Sequence, residues 1–309
     1  MSLTITETFG YPATDTSSIA QIQRKSLICP FIKKECWKKF RAGGLVNGTC
    51  VVKPPMSAEV IICPDRLYAE NFKILSEVAK EAFGREMSLV GPSDMNTVGG
   101  KDKVVVFGKR WGRELRVPKN NSDMQGYSAD WILAHVDEDG KLQEFVPVEV
   151  QTMDTTGSYQ GEWYKMNNLE LPAECKATTP SMNWENVNKR IIPQLLTKGN
   201  VFGREALCRK GLFFVCPTPV YNKLIARLGA VLTPYPMRSG TLTFRCYGLA
   251  ATCDPGQIRP LRFEEQLTTT IENLKDAFNS TLRLPSMGLM TQTIQRALDS
   301  ASKARKKSS

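Results

Sequence analysis

Apolar and polar positions along the 309-residue chain repeat with two periods, and the switches between them mark out strands and helices. Leu67, Phe72, Leu75, Val78, Ala79 and Ala82 recur at helical spacing up to Gly84, which predicts an amphipathic helix over 67–83. Before it, Ile19 to Gln23 suggests a short helix or arm. After it, "KVVVFG" (103–108) and "ELRVP" (114–118) read as short strands, and "YSADWILAHV", "DEDGK" and "LQEFVPVEVQ" read as strand, turn, strand. "NWENVNKRIIPQLLTKGN" predicts a helix interrupted at Pro193, and "GLFFVCPTPVYNKLIARLG" a buried strand running into a helix. In the last third "GTLTFRCYGL" reads as a strand and "RFEEQLTTTIENLKDAFNSTL" as a helix. Strands interleaved with helices predict an α/β or α+β fold. The expected segments are an arm or helix over 1–25, a cysteine-rich module over 26–66, the main domain over 67–301 and a basic, disordered tail over 302–309.

Composition adds a charge bias. Lys and Arg number 41 against 31 Asp and Glu, a net charge of +10, and the tail "SKARKKSS" holds four of the positive charges without an acid. A basic chain favours a polyanionic partner, nucleic acid before membrane. No apolar run approaches the ~18 residues that span a bilayer, and the start "MSLTITETFGYP" lacks a basic flank before an apolar stretch, so an intracellular protein is expected.

Four of the nine cysteines, Cys29, Cys36, Cys50 and Cys63, are separated by 6, 13 and 12 residues among prolines, glycines and polar turn residues. Four thiolates suit a tetrahedral structural Zn²⁺ or Fe site, which holds together a segment with little core of its own. The competing reading is four small buried apolar side chains. Cys175, Cys208, Cys216, Cys246 and Cys253 are scattered, several in apolar runs, and read as packing residues.

The second chemical feature is a hairpin. With "EDGK" (138–141) as a four-residue turn, Trp131 pairs with Val148 and Leu133 with Val146, while Asp130 faces Glu149 and Gln151 shares the face of Glu149. Directly opposed carboxylates repel unless a cation lies between them. Two such acids and a main-chain carbonyl offer hard oxygen ligands suited to Mg²⁺, the metal of phosphodiester hydrolysis. On spacing alone, an exposed acidic hairpin with a buried back face competes with this reading. His135, the single histidine, falls on the opposite face from Asp130, which argues against a histidine-dependent hydrolase.

Asp130 followed by Glu149, Val150 and Gln151 resembles the PD-(D/E)xK nuclease pattern, with Ala129 in place of the motif's proline and Gln151 in place of its lysine. Together with the continuation "EVQTMDTTGSY" and the four cysteines, it is similar to the NotI and EagI group of type II restriction endonucleases. The resemblance implies a PD-(D/E)xK core, a mixed central β-sheet flanked by helices, beside a small four-cysteine metal module. It implies a homodimer in the bacterial cytoplasm that cuts double-stranded DNA at a GC-rich palindrome with Mg²⁺, and iron, or alternatively zinc, on Cys29, Cys36, Cys50 and Cys63. Asp130, Glu149 and the Val150 carbonyl would hold the catalytic metal, and Gln151 would position the attacking water. Glu114 is the candidate for a third acid, ahead of Glu77 and Glu81, which read as helix surface. Candidate DNA contacts are Lys119, Asn120 and Asn121 before the catalytic strand, Ser158, Tyr159 and Gln160 after it, and Arg204, Arg238 and Arg245 in the last third. The rival functions are a non-enzymatic DNA-binding protein with a metal finger and a PD-(D/E)xK repair nuclease that reads DNA structure.

Overall fold

The structure is a computed structural model that describes residues 3–40, 44–95, 102–118, 126–173, 175, 178–228, 232–280 and 286–307, the last seven as backbone only. The amino-terminal part is built on β1 (Thr4–Thr8), β2 (Tyr11–Pro12), α1 (Ser18–Ser26), β3 (Thr49–Lys53) and β4 (Val60–Ile61). Its strands form one sheet in the order β2-β1-β3-β4. The first residues thus pair with the strand that carries Cys50, Ile5 against Val52. A single-turn 3-10 segment, Pro64–Tyr68, leads into α2 (Ala69–Phe83). That helix buries Leu75, Val78, Ala79 and Ala82 as its periodicity requires. It becomes regular later than the pattern suggests, because Glu70, Asn71 and Phe72 all have positive φ. Gly84, at φ 73°, closes it with its amide on the Lys80 carbonyl.

The remaining elements are β5 (Leu89–Val90), β6 (Lys103–Gly108), β7 (Trp131–Val136), β8 (Leu142–Val150), β9 (Thr155–Thr156), α3 (Gln160–Met166), β10 (Ser181–Met182), α4 (Ile192–Phe202), β11 (Leu212–Pro217), α5 (Thr218–Leu228), β12 (Thr241–Leu249), β13 (Leu261–Thr270), α6 (Ile271–Asn279) and α7 (Leu289–Lys307). Seven strands form a mixed central sheet in the order β13-β12-β11-β8-β7-β6-β5. β8, β11 and β12 run parallel, and β6, β7 and β8 form an antiparallel meander. Alternation gives the sheet two apolar faces. Val106, Leu133, Val148 and Val215 pack with α2 and the cysteine segment, whereas Leu212, Phe214, Leu242 and Phe244 pack under α4, α5 and α6. The α+β fold with a mixed sheet between helices is the one expected.

Four local expectations are corrected. "ELRVP" makes one isolated bridge, Arg116 to Ser128, and no strand. Pro193 lies in the first turn of α4 and does not interrupt it; having no amide to donate, it fits there, and the irregularity precedes it as a π-turn over Val187–Ile191. "RFEEQLTTT" belongs to β13, paired antiparallel to β12, and the helix begins only at Ile271. There the Thr270 hydroxyl accepts the Asn273 amide as an N-cap. Helix α7 continues to Lys307 and takes in most of the segment expected to be a disordered tail.

Candidate active site

The β7–β8 hairpin follows the expected register from Trp131↔Val148 to His135↔Glu144, then slips by one residue at Val136↔Leu142. The slip arises at the turn, where Asp137 and Lys141 close the loop by an Asp137 amide to Lys141 carbonyl bond of 3.1 Å. A bulge absorbs the extra residue and leaves the other end of the ladder in register. One step beyond Trp131↔Val148, Asp130 stands opposite Glu149, and its Oδ2 accepts the Val150 amide at 2.9 Å. Gly108 lets β6 close on this corner: a Cβ there would lie 2.8 Å from the Asp130 carbonyl oxygen and 2.3 Å from the Trp131 ring.

Asp130 opens into a polar cleft of about 200 Å³, lined by Asp65, Lys109, Arg110, Glu114 and Val150 among others. A larger hollow of about 400 Å³ on the sheet is walled by Phe107, Ile132, Phe145 and Phe202 and, unlike the smaller cleft, has no carboxylate in its lining. Burial, reinforced by the Asp130 charge, pushes the Glu149 carboxyl up to about 7. Asp130 keeps water on its cleft side, yet the protein crowding its other sides raises its pKa, and Glu114 adds to the effect. Two carboxylates held beside each other with raised pKa values form a functional-site signature.

Glu114 joins this group. Ser128 Oγ donates to it at 2.8 Å, Lys109 Nζ stands 3.5 Å away, and the Ser128 bond does most to lower its pKa. Gln151 follows Glu149 on the strand, but its amide nitrogen turns back to the Thr152 carbonyl at 2.8 Å. The residue that sequence reasoning missed is Lys198 of α4, whose Nζ lies 2.6 Å from Glu149 Oε1 with the side chain only 20% exposed. Its signal was a lysine between Leu195 and Phe202, at i+3 and i+7 on the core-facing stripe of an amphipathic helix.

The proposed DNA contacts divide. Lys119, Asn120 and Asn121 lie outside the described residues. Ser158 bonds with Thr178, while Gln160 is buried. Tyr159 packs on Phe40 with its hydroxyl on Asn47, so this turn docks α3 onto the cysteine segment. Arg204 and Arg238 are exposed in the turns that precede β11 and β12. Arg245 is buried on the α2 face, across the sheet from Asp130, and pairs with Glu77 at 3.5 Å and Glu81 at 3.8 Å. There the two glutamates hold its guanidinium. His135 lies on that same face, against Phe83.

Cys29, Cys36, Cys50 and Cys63 are all buried and free. Cys29 and Cys36 flank a reversing loop in which the Cys29 amide donates to the Lys34 carbonyl, and Cys50 and Cys63 sit on adjacent backbone, the Ile62 amide bonding the Cys50 carbonyl. Amides of Phe31 and Ile32 point at the Cys29 sulfur, those of Lys38 and Gly48 at Cys36, and that of Gly10 at Cys50. Burial raises every one of these thiols, Cys63 to about 12, and neighbouring sulfurs are close enough to raise one another. Soft donors with amides aimed at sulfur suit a bound thiolate set. Among the described residues, however, no three His, Cys, Asp or Glu side chains are already gathered around one point.

A mixed sheet that sets a raised-pKa carboxylate pair at the margin of a polar cleft offers the groups that metal-assisted hydrolysis uses. The family model of the restriction endonuclease NotI matches residues 15–210, and the chain belongs to that family. It is accordingly a restriction endonuclease, a site-specific deoxyribonuclease whose partner is DNA. The matched span takes in the four amino-terminal cysteines, Asp130, Glu149 and Lys198. No curated protein matches the chain. Among the described residues no helix is long and apolar enough to cross a membrane.

Proposed function

We propose that the chain is a PD-(D/E)xK-type restriction endonuclease whose active site is the Asp130–Glu149 pair, acting with Mg²⁺ on a GC-rich palindrome. The observation that supports this most is the pair itself. Glu149, with its carboxyl raised to about 7, faces a second carboxylate at the edge of a cleft open to substrate. Asp130, Glu149 and the Val150 carbonyl would hold the metal. Two carboxylates with waters meet the needs of Mg²⁺, which dehydrates reluctantly and keeps several waters. When bound, Mg²⁺ supplies charge to the scissile phosphate and lowers the pKa of the attacking water.

The chain's own groups arrange the rest. The Val150 amide holds Asp130 in place, Glu114 adds a third acid to the cleft, and Lys109, 73% exposed on its side chain, is available to a phosphate. The four cysteines would hold a structural iron or zinc, tying β3 to the loop between Cys29 and Cys36 and to the segment that leads into α2. It takes no part in cleavage. A palindromic target matches a homodimer, in which each copy cuts one strand. The setting is the bacterial cytoplasm.

Incubation with a plasmid library of GC-rich palindromes and Mg²⁺ tests the reading. Discrete fragments that share one palindrome at their ends are expected, and an intact substrate at high enzyme excess contradicts it. Cutting that follows DNA structure, with unrelated end sequences, would favour a repair nuclease. Elemental analysis of the purified protein should give about one Fe or Zn per chain; absence of both refutes the thiolate site.

A further inference from the structure

We infer that Lys198 is a catalytic residue of this nuclease, supplying from helix α4 the cation that the Gln151 position does not supply. This rests on the Asp130–Glu149 reading of the active site. Gln151 is neutral, and its amide is spent on the Thr152 carbonyl, so the strand that carries Glu149 brings no positive charge to the phosphate. Lys198 brings one by a different route. Its ammonium touches Glu149 at 2.6 Å, and both side chains are mostly buried, 20% and 12% exposed.

The position has no structural need for a charge. Leu195, Gly199 and Phe202 on the same side of α4 are buried against the sheet and α6, and Gly199 is tight against Ile271. Placing an ammonium in that row costs desolvation that a Leu or Met would avoid. Lys109 is the ammonium in the lining of the Asp130 cleft, but it is largely exposed and pairs with Glu114. Lys198 is thus the fixed, partly dehydrated cation beside Glu149, where electrostatic stabilisation is strongest.

In the free protein the ammonium lies against the Glu149 carboxyl. In the reacting complex its role is to give hydrogen bonds and positive charge to the phosphate. The water oxygen forms a new P–O bond, one ester P–O bond breaks, the departing sugar oxygen takes a proton from solvent, and the water's proton leaves to solvent. Lys198 stabilises the negative charge that gathers on the phosphate oxygens during this exchange.

The test compares wild type, Lys198→Met, Lys198→Arg and the double variant Lys198→Met/Gln151→Lys. Four readouts are taken: thermal unfolding, DNA affinity in Ca²⁺, Mn²⁺ affinity without DNA by electron paramagnetic resonance, and single-turnover cleavage with Mg²⁺. Lys198→Met should fold and bind DNA as wild type does. It should bind Mn²⁺ several-fold more tightly, because the competing ammonium is gone, and cut roughly a hundredfold more slowly. Lys198→Arg should keep more of the rate than Lys198→Met, and the double variant should recover at least about tenfold by returning a lysine to the strand. Wild-type cutting by Lys198→Met overturns the inference, as does a variant that loses cutting and Mn²⁺ binding together. If Lys198→Met does not fold, failure of Lys198→Arg to cut any faster than Glu149→Ala overturns it. If wild type itself does not cut, the Asp130–Glu149 reading fails, and the Mn²⁺ comparison still decides whether Lys198 competes for Glu149.

Discussion

Replacing Asp130 by Asn should abolish cutting and at the same time make the protein more stable at alkaline pH. The two carboxylates face each other across the hairpin with Cβ atoms about 5 Å apart. At an effective dielectric of about 20 this repulsion is roughly 3 kcal/mol. The shift of Glu149 from 4.5 to about 7 corresponds to a similar total, about 3 kcal/mol. Desolvation is the larger cause of that shift, and cleft water screens Asp130, so the repulsion itself is worth about 1 kcal/mol. For a chain of this size that is roughly 2 °C in Tm. Its pH dependence has a definite sign. The unfolded chain releases the Glu149 proton near 4.5, whereas the folded protein keeps it until about 7. Between those values the folded state binds more protons, so wild-type stability falls as pH rises through the window, and the loss is complete above about pH 7. Asn retains an oxygen for the Val150 amide that Asp130 now accepts. Thermal unfolding without added divalent cations should therefore show Asp130→Asn gaining about 1 kcal/mol more over wild type at pH 8 than at pH 5.5. An equal difference at both pH values, or a net loss at pH 8, would refute the close approach of the two acids.

Gly108→Ala should destabilise the protein by roughly 1–3 kcal/mol and slow cleavage, because the added methyl meets Trp131 and the Asp130 carbonyl; unchanged Tm and rate would show that β6 is not tight against this corner. Thr270→Ala removes the N-cap of α6 and should cost about 1 kcal/mol with no change in single-turnover cleavage, as read by thermal unfolding beside a cleavage assay. Cys63→Ser should reduce bound iron or zinc well below one per chain and lower Tm, with elemental analysis as the direct check; full metal content would remove Cys63 from the ligand set.

The hairpin that carries Asp130 and Glu149 was legible in sequence because two independent constraints agree on its register. Trp131, Leu133, Val146 and Val148 must share a buried face, and only one pairing then sets Asp130 opposite Glu149. The bulge next to Val136 was not legible, since it depends on how Asp137 and Lys141 close the turn. Strand β13 was hidden for a different reason. Its Glu, Gln and Leu residues are good helix formers, and only pairing with β12 over nine positions makes it a strand. Arg245 shows the limit of assigning DNA contacts by residue type: its partners Glu77 and Glu81 sit on a helix more than a hundred residues away in sequence. The same limit hid Lys198, whose meaning appears only when α4 is laid over the strand that carries Glu149.

Single-turnover cleavage of a GC-rich palindromic target by wild type and Glu149→Ala, with DNA binding in Ca²⁺ measured in parallel, tests the Asp130–Glu149 site most directly. Wild type should cut only when Mg²⁺ is present, and Glu149→Ala should bind the same DNA with little change and leave it intact. Cutting by Glu149→Ala at the wild-type rate would place the chemistry elsewhere in the chain.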